Sequence, residues 1–290
     1  MKFLFNTIIF LTIGITAYTQ NTDNLQDLRK KIAILKNVSD FEDKYSDEYY
    51  KSNKPFHFDY DSLKKAKTDA LISILKNPRS SEPQIQKELK HLVGEPITSD
   101  DGKLKIYNFS EWITMATGRY YYNVIQYTTP TGETNAYLLK YKDCGFNSGF
   151  EAVYHLKGTD LYLVTARTIE CSACYNEKAV VFKLTDKYLI TDYPAFPNNK
   201  SCLSIDSRDD SLVQGPPYEE SSVNIKYDKT RQQLDIYYNK YLPSDPSEPN
   251  KKNKIDDKAE DNPFYNYPAN VDGTIHVILI FDGKKFVVKK

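Results

Sequence analysis

From Lys103 to Tyr193 the chain passes through seven segments rich in β-branched and aromatic residues: KLKIYNF, YYYNVIQY, TNAYLLKY, FEAVYHLK, LYLVTARTI, KAVVFKLT and KYLITDY. Such residues suit a pleated, half-buried surface. Several of the connections are short turns, PTGE, KGTD and LTDK, and none reaches the length of a helical crossover. A parallel pairing needs a crossover of about a dozen residues or more, so consecutive strands joined this tightly must run antiparallel. Two more hairpins follow, VNIKY-DKTRQ-QLDIYYN and TIHVILIF-DGK-KFVVK, the second turning on Asp282-Gly283. The pattern predicts one large antiparallel β-meander over residues 99–290. It excludes Rossmann, TIM-barrel and thioredoxin folds, in which helices alternate with strands. No internal repeat of about 40 residues marks a β-propeller.

The preceding residues, 20–98, read as helical. Leu25, Leu28, Ile32 and Leu35 recur at helical spacing, and SDFEDKYSDEYY opens with a capping-box spacing at Ser39 and Glu42. DSLKKAKTDALISILKN carries an apolar stripe through Leu63, Ala66, Ala70, Leu71, Ile74 and Leu75, with Asp61 or Ser62 as cap. In SEPQIQKELKHLVGEP, Ser81 and Gln84 have the spacing of a capping box. Gly94 is placed for a left-handed cap, and Pro96 blocks continuation. The fold class expected is therefore α+β: N-terminal helices followed by a large antiparallel sheet, stapled by disulfides.

Residues 1–19, MKFLFNTIIFLTIGITAYT, have the layout of a cleaved secretory signal peptide: Lys2, an apolar run, then Ala17 and Thr19 before Gln20. The apolar run is shorter than the ~20 residues of a membrane span and is broken by Asn6, Thr7 and Thr12. The expectation is a secreted or periplasmic protein with no membrane span after cleavage. Lys and Arg number 39, as do Asp and Glu, so no basic field recommends nucleic acid as a partner. Two stretches interrupt the strands. Residues 194–218 read as a long loop. Residues 243–272, rich in Pro, Asp, Asn and Lys, read as a mobile insertion. The carboxylates Asp256, Asp257, Glu260 and Asp261 lack the ligand spacing of a calcium loop and read as a solvated charge run.

Few residues recommend themselves for chemistry. The chain has no G-x-S-x-G, S-x-x-K, H-E-x-x-H or phosphate loop, so no metal or cofactor is expected. His57, Asp59 and Asp61 in FHFDYD would share a side if extended, a trio able to act as a base or bind a metal. Asp61 capping the next helix, with the aromatics packing, is the preferred account. Alternation along FEAVYHLK puts Glu151, Val153, His155 and Lys157 on one face, which makes Glu151 and His155 the best acid–base candidates. They lie roughly 13 Å apart on a regular strand, so a catalytic pair needs a third residue from a neighbour. His91 sits near a helix C-terminus, where a cation is favoured. His276 shares a face with Ile278 and Ile280 and reads as a packed core histidine. Trp112, Arg119 and Tyr121, within a run of tyrosines, are the candidates for a ligand platform, since aromatic rings stack on planar ligands and Arg grips carboxylates.

SDDGKLKIYNFSEWITMATGRYYYNVIQYTTPTGE, followed by AVYHLKGTDLYLVTAR, resembles uncharacterised exported proteins of the Bacteroidota over residues 99–167. The shared features are a DGKLKIY strand, a Trp-containing aromatic stretch ending in VIQY, and a YHLK hairpin. The resemblance implies an envelope or secreted location and carries no activity and no site residue.

Export implies an oxidising compartment, in which the four cysteines Cys144, Cys171, Cys174 and Cys202 are expected to pair as disulfides. Cys171 and Cys174 form a C-x-x-C between two strands, not at the helix N-terminus that activates a redox pair. A hairpin turning at Gly158–Thr159, extended to its far end, sets Cys144 opposite Cys171 to Cys174. The preferred arrangement bonds Cys144 to one of that pair and Cys202 to the other. The second arrangement is Cys171–Cys174 with Cys144–Cys202. The functional expectation is a non-enzymatic protein that binds an envelope or extracellular partner or ligand. The alternative is an extracytoplasmic hydrolase acting on glycan or peptide.

Overall fold

The computed structural model describes residues 25–42, 44, 60–110, 121–140, 148–171, 174–208, 224–239 and 274–289. These form two compact units. One holds Met1–Glu95 with Thr134–Leu138, the other Pro96–Glu133 with Leu139–Lys290. The signal-peptide candidate and the 243–272 insertion lie outside the described residues.

Among its described residues the first unit contains three α-helices: α1 over residues 25–42, α2 (Tyr60–Lys76) and α3 (Pro83–Val93). α1 continues through Ser39, so the capping-box spacing there does not start a second helix. Leu28, Leu35 and Val38 of α1 are buried, as are Ala70, Leu71, Ile74 and Leu75 of α2 and Ile85 and Leu89 of α3. Each Leu, Ile or Val among them contributes roughly 1.5–3 kcal/mol on leaving water. Ala66, on the expected α2 stripe, is exposed. Thr68 is buried instead, its hydroxyl donating back to the Lys64 and Lys65 carbonyls at 2.9 and 3.0 Å. The capping box at Ser81 does not form. Pro78–Ser81 makes a 3₁₀ turn, and the cap of α3 moves one residue on to Glu82. Gly94 ends α3 at φ 78°, where a β-carbon would be strained. Strand β4 (Thr134–Leu138) belongs to this unit and buries Ala136.

The second unit corrects the expectation of one large meander. Its strands divide among several antiparallel sheets. In the first, β1 (Ile97–Thr98), β2 (Leu104–Ser110) and β3 (Tyr121–Thr128) lie side by side, with Leu104 opposite Tyr127 and Asn108 opposite Asn123. The second has the order β5 (Gly149–His155), β6 (Leu161–Cys171), β7 (Cys174–Leu184), β8 (Leu189–Ile190), and β9 (Cys202–Arg208) also pairs with β7. The third runs β10 (Asn224–Asp228), β11 (Gln233–Asn239), β12 (Thr274–Phe281), β13 (Phe286–Val288).

The physical reason for the division lies in β6 and β7. Leu161 to Val164 and Ala179 to Phe182 are buried at every position, so both faces of this sheet need a cover that a single-layer meander lacks. One face, with Leu161, Leu163, Ala179, Val181, Leu203 and Ile205, packs against Leu234, Ile236, Ile275, Val277 and Leu279 of the third sheet. On the other face Tyr162 meets the β1–β2 turn. The start of the expected 194–218 loop is also core. Ala195 and Phe196 are fully buried, and Phe196 stacks on Phe286 with ring centroids 5.6 Å apart. The Phe286 N–H donates to the Ala195 carbonyl at 2.6 Å.

The first and second sheets meet through two asparagines that face each other across β2 and β3. Asn108 uses its whole amide: Nδ2 donates to the Phe150 carbonyl at 2.8 Å, and Oδ1 accepts the Phe150 N–H at 3.2 Å. Asn123 Nδ2 donates to the Ser148 carbonyl at 3.1 Å, and the Ser148 and Thr168 hydroxyls hydrogen-bond each other.

Candidate functional site

The hairpin turn at Gly158 and the β1–β2 turn bring four polar groups together. Gly158 takes φ 78° and closes the ladder so that His155 faces Tyr162, as the turn spacing predicts. The two rings meet at a tilt of 31°, with centroids 5.1 Å apart. Tyr162 is almost fully buried, and its hydroxyl donates to Asp101 Oδ2 at 2.8 Å. Asp101 Oδ1 accepts from the Ser99 hydroxyl at 2.7 Å and from the Lys103 N–H at 3.2 Å. Burial pushes the Asp101 carboxyl up. The donors Ser99, Tyr162 and Lys103 N–H and the charge of His155 outweigh that, and the net shift is downward. The Tyr162 phenol is driven well above its ordinary range, first by burial and then by the Asp101 carboxylate.

His155 Nε2 lies 2.7 Å from the Thr159 carbonyl, which can only accept, so that nitrogen carries the proton. Nδ1 faces Asp101 Oδ2 at 3.8 Å. The carboxylate near His155 is thus Asp101, which sequence alternation did not single out, and not Glu151.

Glu151 is separated from His155 by a β-bulge. The β5–β6 register shifts between Phe150 and Ala152, which breaks the alternation on which the shared face depended. Glu151 turns instead to Arg167, with Oε1 3.5 Å from Nε. Arg167 Nη2 donates to Glu177 Oε1 at 2.7 Å, and the Ile225 N–H of β10 donates to Glu177 Oε2 at 2.6 Å. Burial raises the Glu177 carboxyl above its ordinary value, against the lowering pull of Ile225 and Arg167. The arrangement ties the second sheet to the third.

His276 is not a core residue. On β12 the buried positions are Ile275, Val277, Leu279 and Phe281, and His276, Ile278 and Ile280 lie on the opposite, outward face. Both faces carry β-branched residues, so the sequence offered no contrast to choose between them. His276 stacks on Tyr237 at 4.1 Å with ring planes 9° apart, and Nε2 is 3.1 Å from Asp235 Oδ1. Gln233 Nε2 donates to both oxygens of Asp235. Asp235 and Tyr237 were missed at the sequence level. Their alternation with Ile236 in QLDIYYN is the signal that marks an outward face.

His57, Asp59, Trp112 and Arg119 lie outside the described residues. Of the aromatic run, Tyr122 is buried and stacks on Phe109 at 5.1 Å, so it presents no open ring. Tyr121 is half-buried against Gly149, where a β-carbon would come within 3.2 Å of its ring.

The backbone register also locates three cysteines. Cys171 and Cys174 are partners across the last rung of the β6–β7 hairpin. Cys202 lies opposite Val180 on β7, and Cys174 lies opposite Arg208 on β9. No disulfide has both cysteines among the described side chains. Cys144 lies outside the described residues, as do the side chains of Cys171 and Cys174. Among the described residues no group of three His, Cys, Asp or Glu is arranged to hold a metal ion. No described helix is long and apolar enough to cross a membrane. Searches against protein-family models, curated proteins and solved structures find no match to this chain.

Proposed function

We propose that this protein acts outside the cytoplasm as a disulfide-stapled binding or structural protein of the envelope or secreted fraction. The signal-peptide layout of residues 1–19 and the resemblance to exported Bacteroidota proteins support the location. The observation that carries the binding role is the outward face of the β10–β13 sheet. There a stacked Tyr237–His276 pair, the carboxylate of Asp235 and the half-buried Ile278 and Ile280 lie side by side. Aromatic and aliphatic area edged by fixed polar groups is the composition of recognition surfaces. A photo-crosslinking amino acid at position 280 of the exported protein tests the role. A discrete adduct that is lost in Tyr237→Ala supports it, and absence of any adduct counts against it.

A second reading, an extracytoplasmic hydrolase of glycan or peptide, draws on the Asp101–His155 approach of 3.8 Å. Hydrolysis of such substrates that disappears in both His155→Ala and Asp101→Asn would establish it in place of the first.

A further inference from the structure

The outward face of the β10–β13 sheet presents its charges unevenly. Asp235 lies opposite Lys226 on β10 and Ile278 on β12. Lys289 continues the ladder past β13, its N–H donating to the Ile278 carbonyl at 2.8 Å. One row across the sheet therefore runs Lys226, Asp235, Ile278, Lys289. The next row sets Ile280 opposite Val287. Side chains alternate along β13, and Phe286 and Val288 pack on the core, so Val287 and Lys289 share the outward face with Ile278 and Ile280. The three aliphatic side chains are half-buried, and both lysines are exposed.

The carboxylates of this face are already occupied. Asp235 accepts from Gln233 at both oxygens, and His276 Nε2 lies 3.1 Å from one of them. Asp228 accepts from the Thr230 and Arg231 N–H groups at 2.9 and 3.0 Å. Lys226 and Lys289 form no ion pair among the described residues. What the face offers a partner is thus an aliphatic centre with an uncommitted ammonium group on either side. The complement is an apolar group flanked by anions.

We propose that this face binds a polypeptide segment in which an apolar side chain stands between two carboxylates. The proposal rests on the binding role assigned above and names the partner's chemistry. Lys226 and Lys289 are three inter-strand steps apart, about 14 Å between Cα atoms. An extended chain covers about 13 Å in four residues and turns alternate side chains to the same side. Acidic residues at i and i+4 with an apolar residue at i+2 therefore bring one carboxylate to each lysine and the apolar side chain against Ile278. A glycan matches this face less well, because its centre is aliphatic and Tyr237 and His276 spend ring faces on each other. A bilayer matches it less well too, because the aliphatic side chains are half-buried in the sheet and do not project.

The probes are three acetylated, amidated peptides, Glu-Thr-Leu-Thr-Glu, Gln-Thr-Leu-Thr-Gln and Lys-Thr-Leu-Thr-Lys, and vesicles of phosphatidylcholine with phosphatidylglycerol. The exported protein is titrated with each at low salt, and the amide NMR signals of Ile278 and Ile280 are followed. The Glu peptide should shift both signals. Its affinity should fall about tenfold on changing to the Gln peptide, and by the same factor in the double variant Lys226→Gln, Lys289→Gln, since two exposed ion pairs together supply about that factor. The Lys peptide should not bind. Both lysines are exposed, so the variant keeps its fold, checked by an unchanged urea midpoint. No shift with the Glu peptide, equal affinity for the Glu and Gln peptides, or binding of the vesicles in place of the peptide overturns the proposal. The crosslink at position 280 separates that failure from failure of the binding role. An adduct that forms equally well in the double lysine variant leaves the role standing and removes the acidic partner, whereas absence of any adduct removes both.

Discussion

Replacing Glu177 with alanine removes the carboxylate that joins β7 to the backbone of β10, and its cost follows from the two bonds it accepts. The side chain is 6% exposed. The bond from the Ile225 N–H at 2.6 Å is buried and charge-assisted, a class that contributes about 1.5–3 kcal/mol. Arg167 is 37% exposed, so its bond is discounted for solvent screening to about 1 kcal/mol or less. Against these stands the desolvation of the carboxylate, which is strong enough to raise its pKa despite both partners. The net loss expected for Glu177→Ala is about 2 kcal/mol, read as a drop in urea midpoint at unchanged slope. The Ile225 amide should lose its protection from hydrogen exchange.

Glu177→Gln keeps the volume and one acceptor oxygen and serves as the non-titrating control. Because the folded-state pKa of Glu177 is raised, the native state takes up a proton before the unfolded state does. Its contribution to stability is fully present below the unfolded pKa and is lost as pH rises through the folded value. Wild type should therefore gain on Glu177→Gln as pH falls from neutral through the upper carboxylate range toward 4.5. An alanine variant within about 0.5 kcal/mol of wild type, the scatter of an ordinary surface change, would refute the inter-sheet tie. So would a wild type and Gln variant whose stabilities run parallel over that range.

Three further outcomes follow from the same structure. Phe286→Ala removes a fully buried ring packed on Phe196 and Phe281, and should cost about 3–5 kcal/mol in denaturant unfolding. Tyr162→Phe removes one of the donors that hold Asp101 below its ordinary pKa. The Asp101 carboxyl should titrate higher by NMR, and the stability it supplies, present above its unfolded pKa and lost as pH falls through the folded one, should shrink by about 1–2 kcal/mol at neutral pH. The Tyr227 phenol, buried without a hydrogen-bond partner and pushed up to about 12, should not ionise below pH 11 in ultraviolet titration, and Tyr227→Phe should be neutral or stabilising.

Local signals in the sequence translated well. Turn residues placed the hairpins: Gly158 and Gly283 take the positive φ that their turns require, and the His155–Tyr162 register is the one the Gly158–Thr159 turn dictates. Helical periodicity located α2 and α3, and Gly94 ended the latter. Long-range partition did not translate. Continuous burial along β6 and β7 calls for covers on both sides, yet the same β-branched runs are equally compatible with one broad sheet. The shared face expected for Glu151 and His155 was lost for a narrower reason. One bulge residue at Glu151 inverts a face, and bulges leave no mark in a pattern of alternating side chains. Asp101 reaches His155 from a turn more than fifty residues earlier in the chain, a proximity that only tertiary packing creates.

The asparagine pair between the first two sheets bears on how the molecule keeps to itself. β5 is the border strand of the β5–β8 sheet, and a border strand offers unpaired peptide groups on which another chain can lengthen the sheet. Here the amide of Asn108 imitates a peptide unit, occupying both the N–H and the carbonyl of Phe150, and Asn123 takes the carbonyl of Ser148. The template is filled from within by two side chains. A hydrophobic sheet that would otherwise invite intermolecular growth at residues 148–150 is closed to it without a proline, a charge or an additional strand.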